Sequence, residues 1–480
     1  MSIQPALTRS IIILRTSLRL SHLASLTLTL LATSAVCLSA APAHAEEAFG
    51  IVGKNDWLFY RHEWANSADM AATNTSVDLI KSFSQALQEN GITLVVAMVP
   101  LKARIYQAYV PEQNKLNPYM AGNYQRMAQA LSSAGVKVVD LNTSFLQSAK
   151  NRPDKHLYFR LDSHWTPTGA LLAAETVASS LEADAAMKNQ LRQIPAEKYS
   201  MRWSEQPIAT VSRDLVAQLP KGAPAYAPEY VLDAEITKAS SGSNLLGDAI
   251  LPMIALVGSS YSKPWTRFPE FLKFTLQKDV LAIAVGADQG SWIGMETYLR
   301  DDAFQNTPPK FLIWEMPERD MRAPPAFLYR EARYRSDNQE WLQRVSTMVQ
   351  MQCRPATASA KFTGPGARDA QRAQFARTSA PDYASLQFSQ AVDAQDYLLA
   401  SISASNNNAV QNLGLEVMKG DTSAKKWNVT INADGAAHTM KIALPAGGKA
   451  YTGLKIWPGE TAGLTISDVK LCRMSALVSK

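Results

Sequence analysis

The chain is short of cysteine, histidine and charge, and each shortage removes a class of protein from consideration. Only 19% of its 480 residues are charged while 46% are hydrophobic. That excludes a disordered chain and leaves material for a full hydrophobic core in two or three domains. Three cysteines leave at most one thiolate for a metal site if two of them pair. Past residue 45 no apolar run is long enough to cross a membrane. No glycine-rich nucleotide or coenzyme fingerprint is present, so no cofactor is expected, and no segment repeats.

Residues 1–45 read as an export leader. Arg9, Arg15 and Arg19 precede an apolar stretch at 23–40 that is tempered by Ser and Thr, and Ala43-His44-Ala45 is a small-x-small cleavage site. The apolar stretch is long for a leader, which leaves an uncleaved anchor as the alternative. Removing the leader takes three arginines and no acid, so the formal charge of +6 becomes +3. Near balance gives no general case for nucleic-acid binding; an anionic partner must be met by a local patch. Cys37 leaves with the leader. In an exported chain the remaining Cys353 and Cys472 read as one disulfide, closing a loop of about 120 residues and worth roughly 3–5 kcal/mol in a chain-entropy account. Two buried free thiols are the alternative.

Residues 46–345 alternate strands and helices. Continuous apolar runs at 92–99 (ITLVVAMV), 136–141, 253–257 and 309–316 suit buried parallel strands. Helical spacing occupies 77–89, 119–133 and 168–181. The expectation is an α/β domain with a mostly parallel sheet. Residues 185–250 fit poorly and are expected as an insertion or long loops. A connecting helix at 336–351 leads to a Pro, Gly, Ala and Arg-rich stretch at 354–380. Short alternating runs follow at 383–388, 396–403, 426–431, 438–444, 452–457 and 465–471, separated by turn residues such as Asp434-Gly435 and Pro458-Gly459. Residues 346–480 are therefore expected as an all-β sandwich, stapled at its ends by the cysteine pair.

Four histidines remain after the leader: His62, His156, His164 and His438. His164 lies in Leu161-Asp162-Ser163-His164-Trp165-Thr166-Pro167, read as following a strand end and preceding a helix. Two positions apart, Asp162 and His164 can face one pocket, where a carboxylate fixes the imidazole tautomer and stabilises imidazolium. A nucleophile would come from another strand end. Gly258-Ser259-Ser260-Tyr261-Ser262 directly follows the run MIALV; Gly258 permits a sharp turn, and backbone N–H groups after it can bind an oxyanion. The order Asp, His, Ser is one that triads use. Spacing alone leaves bland readings open: a capping Asp with a half-buried His, and a Ser that caps a helix. An Asp/His metal site is disfavoured because no other His lies nearby.

Taken with Ile51-Val52-Gly53-Lys54-Asn55-Asp56-Trp57-Leu58-Phe59-Tyr60, Val99-Pro100-Leu101-Lys102 and Trp314-Glu315-Met316-Pro317-Glu318-Arg319, these motifs resemble the alginate O-acetyltransferases of the AlgX/AlgJ type. Their order runs through residues 50–320, and the C-terminal sandwich with its cysteine pair points to the AlgX type. The resemblance implies a three-layer SGNH-hydrolase-like domain, circularly permuted so that Asp-x-His precedes the Ser, and a carbohydrate-binding module at 346–480. It implies Ser260 as nucleophile, His164 as base and Asp162 as its orienter. It also implies a periplasmic enzyme that acetylates mannuronate hydroxyls of alginate.

The expected oxyanion donors are the N–H of Ser260 or Tyr261 and a loop glycine, Gly290. Lys102, Arg160, Lys263 and Arg267 are candidates for a basic groove, and Trp427 (with Lys425 and Lys426) and Trp457 (with Lys455) for polymer contact. Each has the alternative of an ordinary surface charge or a sandwich-core tryptophan. The expected partners are an anionic polysaccharide, a membrane protein that supplies the acetyl donor, and a periplasmic export complex; the chain itself is expected to be monomeric. An acetylesterase and a non-catalytic polymer-binding component are the competing functions.

Overall fold

The computed structural model describes residues 49–210, 213–239, 251–287, 289–327, 335–376, 382–405, 409–459 and 461–475. The leader, its cleavage site and Cys37 lie outside them. No helix among the described residues is long and apolar enough to cross a membrane.

Five parallel strands form the first sheet: β1 (Thr93–Val99), β2 (Lys137–Val139), β3 (Ile254–Gly258), β4 (Leu281–Ala284) and β5 (Phe311–Pro317), in the order β4-β3-β5-β1-β2. The three central strands are apolar except for Thr93 and Glu315 because both faces are covered. Val95, Ala97, Leu256 and Ile313 pack with helices α3 (Leu141–Asn151), α4 (Pro167–Ala183) and α5 (Phe268–Leu276) on one face. Their alternate neighbours Leu94, Val96, Val257 and Trp314 pack on the other face with α1 (Met70–Glu89), α2 (Pro118–Ser133), α6 (Gly290–Arg300) and α7 (Asn338–Met348). This is the three-layer arrangement expected of the sequence. The strand β4 was not anticipated; it is four residues long, at the sheet edge, and only partly buried. Residues 185–239 add a short helix (Ala185–Arg192), an antiparallel pair of Tyr199–Trp203 with Ala234–Lys238, and a helical turn at Asp214–Ala217.

The C-terminal part has two antiparallel sheets. Its strands are β6 (Arg354–Pro355), β7 (Ala360–Thr363), β8 (Ala367–Asp369), β9 (Arg372–Phe375), β10 (Ala384–Val392), β11 (Asp396–Ser403), β12 (Ala409–Lys419), β13 (Thr422–Ala433), β14 (Ala437–Ala443), β15 (Tyr451–Trp457) and β16 (Leu464–Arg473). One sheet runs β8-β9-β16-β11-β14 with β6 on β16, and the other β7-β10-β15-β12-β13. Inward residues of both, such as Leu398, Ile402, Leu413, Leu415 and Ile456, share one core. The Pro, Gly, Ala and Arg-rich stretch at 354–380, where no strand was singled out, holds four of these strands, and β12 was not singled out either. Cys353 and Cys472 form a disulfide across 119 residues that ties the start of the sandwich to its last strand.

Candidate active site

The strand β3 ends at Gly258, where only glycine fits: a Cβ would lie 2.1 Å from Ser262 Oγ and 2.6 Å from Glu315 Oε2. The chain then turns through the short 3-10 helix Ser260–Ser262, whose N-terminus is capped by Ser259 Oγ accepting from Tyr261 N–H at 3.2 Å. Beneath the turn lies Glu315, on β5 and fully buried. Its carboxylate accepts from Ser259 N–H (2.7 Å), Ser259 Oγ (3.0 Å) and Ser262 Oγ (2.9 Å). Burial pushes the carboxyl up to about 7, although those hydrogen bonds favour its ionised form.

Asp162 and His164 do not sit at a strand end, contrary to expectation. They lie on the loop between α3 and α4, and no strand of the sheet leads into it. Long-range clamps hold the loop instead. Lys102 Nζ donates to the carbonyls of Leu58, Arg160 and Asp162 at 2.6, 2.9 and 2.9 Å. Glu229 accepts from the N–H groups of Arg160 and Leu161 at 2.9 and 3.3 Å, and Tyr261 Oη donates to Ser163 O at 2.5 Å.

These constraints bring the expected three residues together. His164 Nε2 is 2.7 Å from Ser260 Oγ, and His164 Nδ1 is 2.7 Å from Asp162 Oδ1. An ionised Asp162 can only accept, so Nδ1 carries the ring proton and Nε2 accepts from the Ser260 hydroxyl. Asp162 is fully buried and His164 nearly so. Asp162 also accepts from His164 N–H (2.9 Å) and from Asp214 N–H (3.0 Å). Asp214 in turn accepts from Ser163 N–H at 2.7 Å and Ser163 Oγ at 2.5 Å. The donor atoms of Asp162, His164 and Asp214 lie within 4.8 Å of one another. Their 2.7 Å contact is a hydrogen-bond distance with a proton between nitrogen and oxygen, so the group reads as a proton-holding network rather than a metal centre.

Other expected residues fall differently. Lys102 is a clamp and lines no groove: it is completely buried, and that burial lowers its ammonium to about 8, opposed by Glu63 and Asp162. Arg267 is spoken for by Asp233, with contacts of 3.0 and 2.6 Å. Arg160, half-buried, faces Glu229 at 3.8 Å. Lys263 has no side-chain partner among the described residues. Of the expected oxyanion donors, Tyr261 N–H is taken by Ser259 Oγ and Gly290 N–H by Gly286 O at 3.1 Å. The N–H of Ser260 has no acceptor among the described residues. Trp427 packs against the sandwich core and lines a cleft of about 640 Å³ facing α6 and α7, together with Lys425, Lys441 and Arg300. The Trp457 ring lies 4.7 Å from that of Tyr383, tilted by 38°, and Lys455 lies over the same tyrosine ring at 5.3 Å.

Sequence reasoning gave no role to Glu315, Asp214, Glu229 or Trp265. For Glu315 a signal existed: a lone acid inside the apolar run FLIWEMP needs a buried partner. The other three reach the site from the segment between α4 and α5, and nothing local to them announces it.

The family described as "SGNH hydrolase-like domain, acetyltransferase AlgX" matches residues 51–318. The chain is 32% identical over 285 residues to the probable alginate O-acetylase AlgJ of Pseudomonas syringae pv. tomato, covering 57% of this chain and 69% of that one. It is 32% identical over 279 residues to the alginate biosynthesis protein AlgX of Pseudomonas putida, covering 55% of each. Among solved structures, the O-acetyltransferase domain of Pseudomonas putida AlgJ matches with a TM-score of 0.52 and 26% identity, over 62% of this chain and 99% of that one. Pseudomonas aeruginosa AlgX shares the fold with a TM-score of 0.59 and 21% identity, over 89% of this chain and 95% of that one, a span that takes in the sandwich. The chain belongs to the AlgX family of SGNH hydrolase-like acetyltransferases.

Proposed function

We propose that this protein is a periplasmic alginate O-acetyltransferase working through an acetyl-serine. The observation that carries the reading is the unbroken relay from Asp162 through His164 to the Ser260 hydroxyl, with 2.7 Å at each step. His164 takes the Ser260 proton as Oγ attacks the acetyl carbonyl, and the Ser260 N–H is placed to receive the oxyanion. Collapse expels the donor's leaving group, which takes the proton from His164. A mannuronate hydroxyl then gives its proton to His164 and attacks acetyl-Ser260, yielding the sugar ester and the free serine. The leader would deliver the chain to the periplasm as a monomer, where a membrane partner of an export complex supplies the acetyl donor. The sandwich would act as a carbohydrate-binding module. Its cleft, with Trp427 and Lys441, offers an aromatic face and cations to a polymer of uronates.

Intact mass after incubation with a small activated acetyl ester tests the reading. The expected result is one acetyl adduct, mapped to Ser260 and discharged onto unacetylated polymannuronate. Ser260→Ala should lose the adduct and at least about 10³-fold of activity with an unchanged unfolding midpoint. Acetate released without any polymer ester would instead make the protein an esterase.

A further inference from the structure

One large aromatic side chain at the site has no packing explanation. Trp57, Trp165, Trp292, Trp314 and Trp341 are all fully buried, but Trp265 is 45% exposed. It lies five residues beyond Ser260, and its ring centroid is 4.8 Å from that of His164 at an interplanar angle of 75°. An exposed indole forgoes the burial that would stabilise it elsewhere.

The backbone around it is fixed. Thr266, buried, donates its hydroxyl to the carbonyls of Tyr261 and Lys263 at 2.7 Å each. Pro264 begins the short 3-10 helix Pro264–Thr266, and Arg267 ends it in a left-handed conformation at φ 64°, held by the bidentate pair with Asp233. A non-glycine residue in that region costs free energy and persists only where its surroundings impose it. The result is a rigid turn that presents an indole to solvent beside the reacting atoms. Lys263 starts the same turn, is only partly buried, and has no partner for its ammonium among the described residues.

We propose that Trp265 and Lys263 form the acceptor platform of the active site, the indole stacking on the apolar face of a pyranose and the ammonium pairing with the carboxylate of a uronate. This inference rests on the acetyl-transfer reading above. A pyranose offers a face of C–H groups to an aromatic ring and keeps its hydroxyls at the rim. A uronate adds one anionic group per ring that an unpaired lysine can meet. A sugar stacked on Trp265 would lie beside the Ser260 and His164 pair, whose imidazole centroid is 4.8 Å from that of the indole.

The test uses the whole enzyme, acetylated on Ser260 by a small activated acetyl ester, and follows discharge of the acetyl group against the concentration of unacetylated oligomannuronate. Trp265→Ala is expected to raise the half-saturating oligomer concentration at least about tenfold, while the acylation burst falls by no more than about threefold. Trp265→Phe should restore most of the acceptor affinity. Lys263→Gln should raise the half-saturating concentration about threefold and flatten its salt dependence. Unchanged half-saturation in Trp265→Ala overturns the platform. So does an equal loss in acylation and discharge, which would make the indole a support for His164 alone. Discharge of the wild-type acetyl-enzyme by water but by no oligouronate sinks the transfer reading and the platform together, an outcome distinct from the other two.

Discussion

Glu63, Lys102, Arg104, Asp162, Glu315 and Glu318 are all buried in the α/β region, whereas the sandwich buries only Asp396 and Glu416 among its described charged residues. Buried charge is costly unless it is paired and fully hydrogen-bonded. In the α/β region these groups gather at the C-terminal ends of β1 and β5. Arg104 pairs with Glu318 at 2.5 Å, Glu63 accepts from Ala103 N–H at 2.9 Å, and Lys102 holds three carbonyls. Each fixes a loop that no regular element would fix. The sandwich has an apolar core of aliphatic and aromatic side chains and keeps Lys425, Lys426 and Lys455 out of it, Lys425 pairing with Glu340 of α7 and Lys426 with Glu416. One region spends stability on fixed geometry around Ser260, the proposed nucleophile; the other has a generic core and a chemically varied surface.

The sharpest way to break that contrast is Glu315. Glu315→Ala leaves the Ser259 N–H and two hydroxyls without an acceptor in a closed core, and should cost roughly 3–5 kcal/mol of stability. With the serine turn released, acylation should fall at least about 100-fold. Glu315→Gln keeps the shape and most of the hydrogen bonds, and isolates the charge. Because burial raises this carboxyl to about 7, the folded protein keeps a proton that the unfolded chain has lost. The favourable contribution is full below the ordinary carboxylate range and is lost as pH rises through about 7. Denaturant midpoints from about pH 4.5 to 8 should therefore show a downward slope in the wild type that Glu315→Gln lacks. Parallel curves would mean that Glu315 is no more than a spacer.

The contrast also explains what the sequence could disclose. Strands covered on both faces announce themselves as apolar runs, so β1, β3 and β5 were legible, while β4, half exposed and four residues long, was not. In the sandwich, β12 points Leu413, Leu415 and Val417 inward, but Val410, Gly414 and Met418 on the alternate positions blur the pattern. The serine was legible because its turn is local: Gly258 and the residues after it carry the geometry. The placement of His164 was not, because its loop is held by Lys102 and Glu229 from 62 positions before and 65 after. Lys102 was misread as a groove residue for the same reason. A lysine reads as surface until three distant carbonyls converge on it.

A second test asks whether the sandwich can be weakened alone. Replacing Cys353 and Cys472 by serine opens a loop of 119 residues, and should cost roughly 3–5 kcal/mol. If the two regions are as independent as their cores suggest, calorimetry should show the loss in the sandwich transition. The acylation burst on a small ester should keep its rate while polymer affinity falls. An equal fall in the burst would show that the sandwich helps to hold the serine turn.

The smallest expected effect concerns where the regions meet. His438, on β14, has Asp302 of the α/β region 2.8 Å from Nδ1 and Asp434 2.8 Å from Nε2. With a carboxylate at each nitrogen only imidazolium satisfies both contacts, and the hydrogen bond to Asp434, then that to Asp302, raises the histidine above its usual value against a desolvation that lowers it. The contact therefore contributes fully below the ordinary histidine range and is lost as pH rises through the raised value. Because both carboxylates are exposed, screening limits the effect, and added salt should reduce it further. The difference in melting temperature between wild type and His438→Gln should shrink steadily from about pH 6 to 9. A difference that does not change with pH would make His438 a neutral packing residue, and Lys425 with Glu340 would then be the charged contact that remains at that junction.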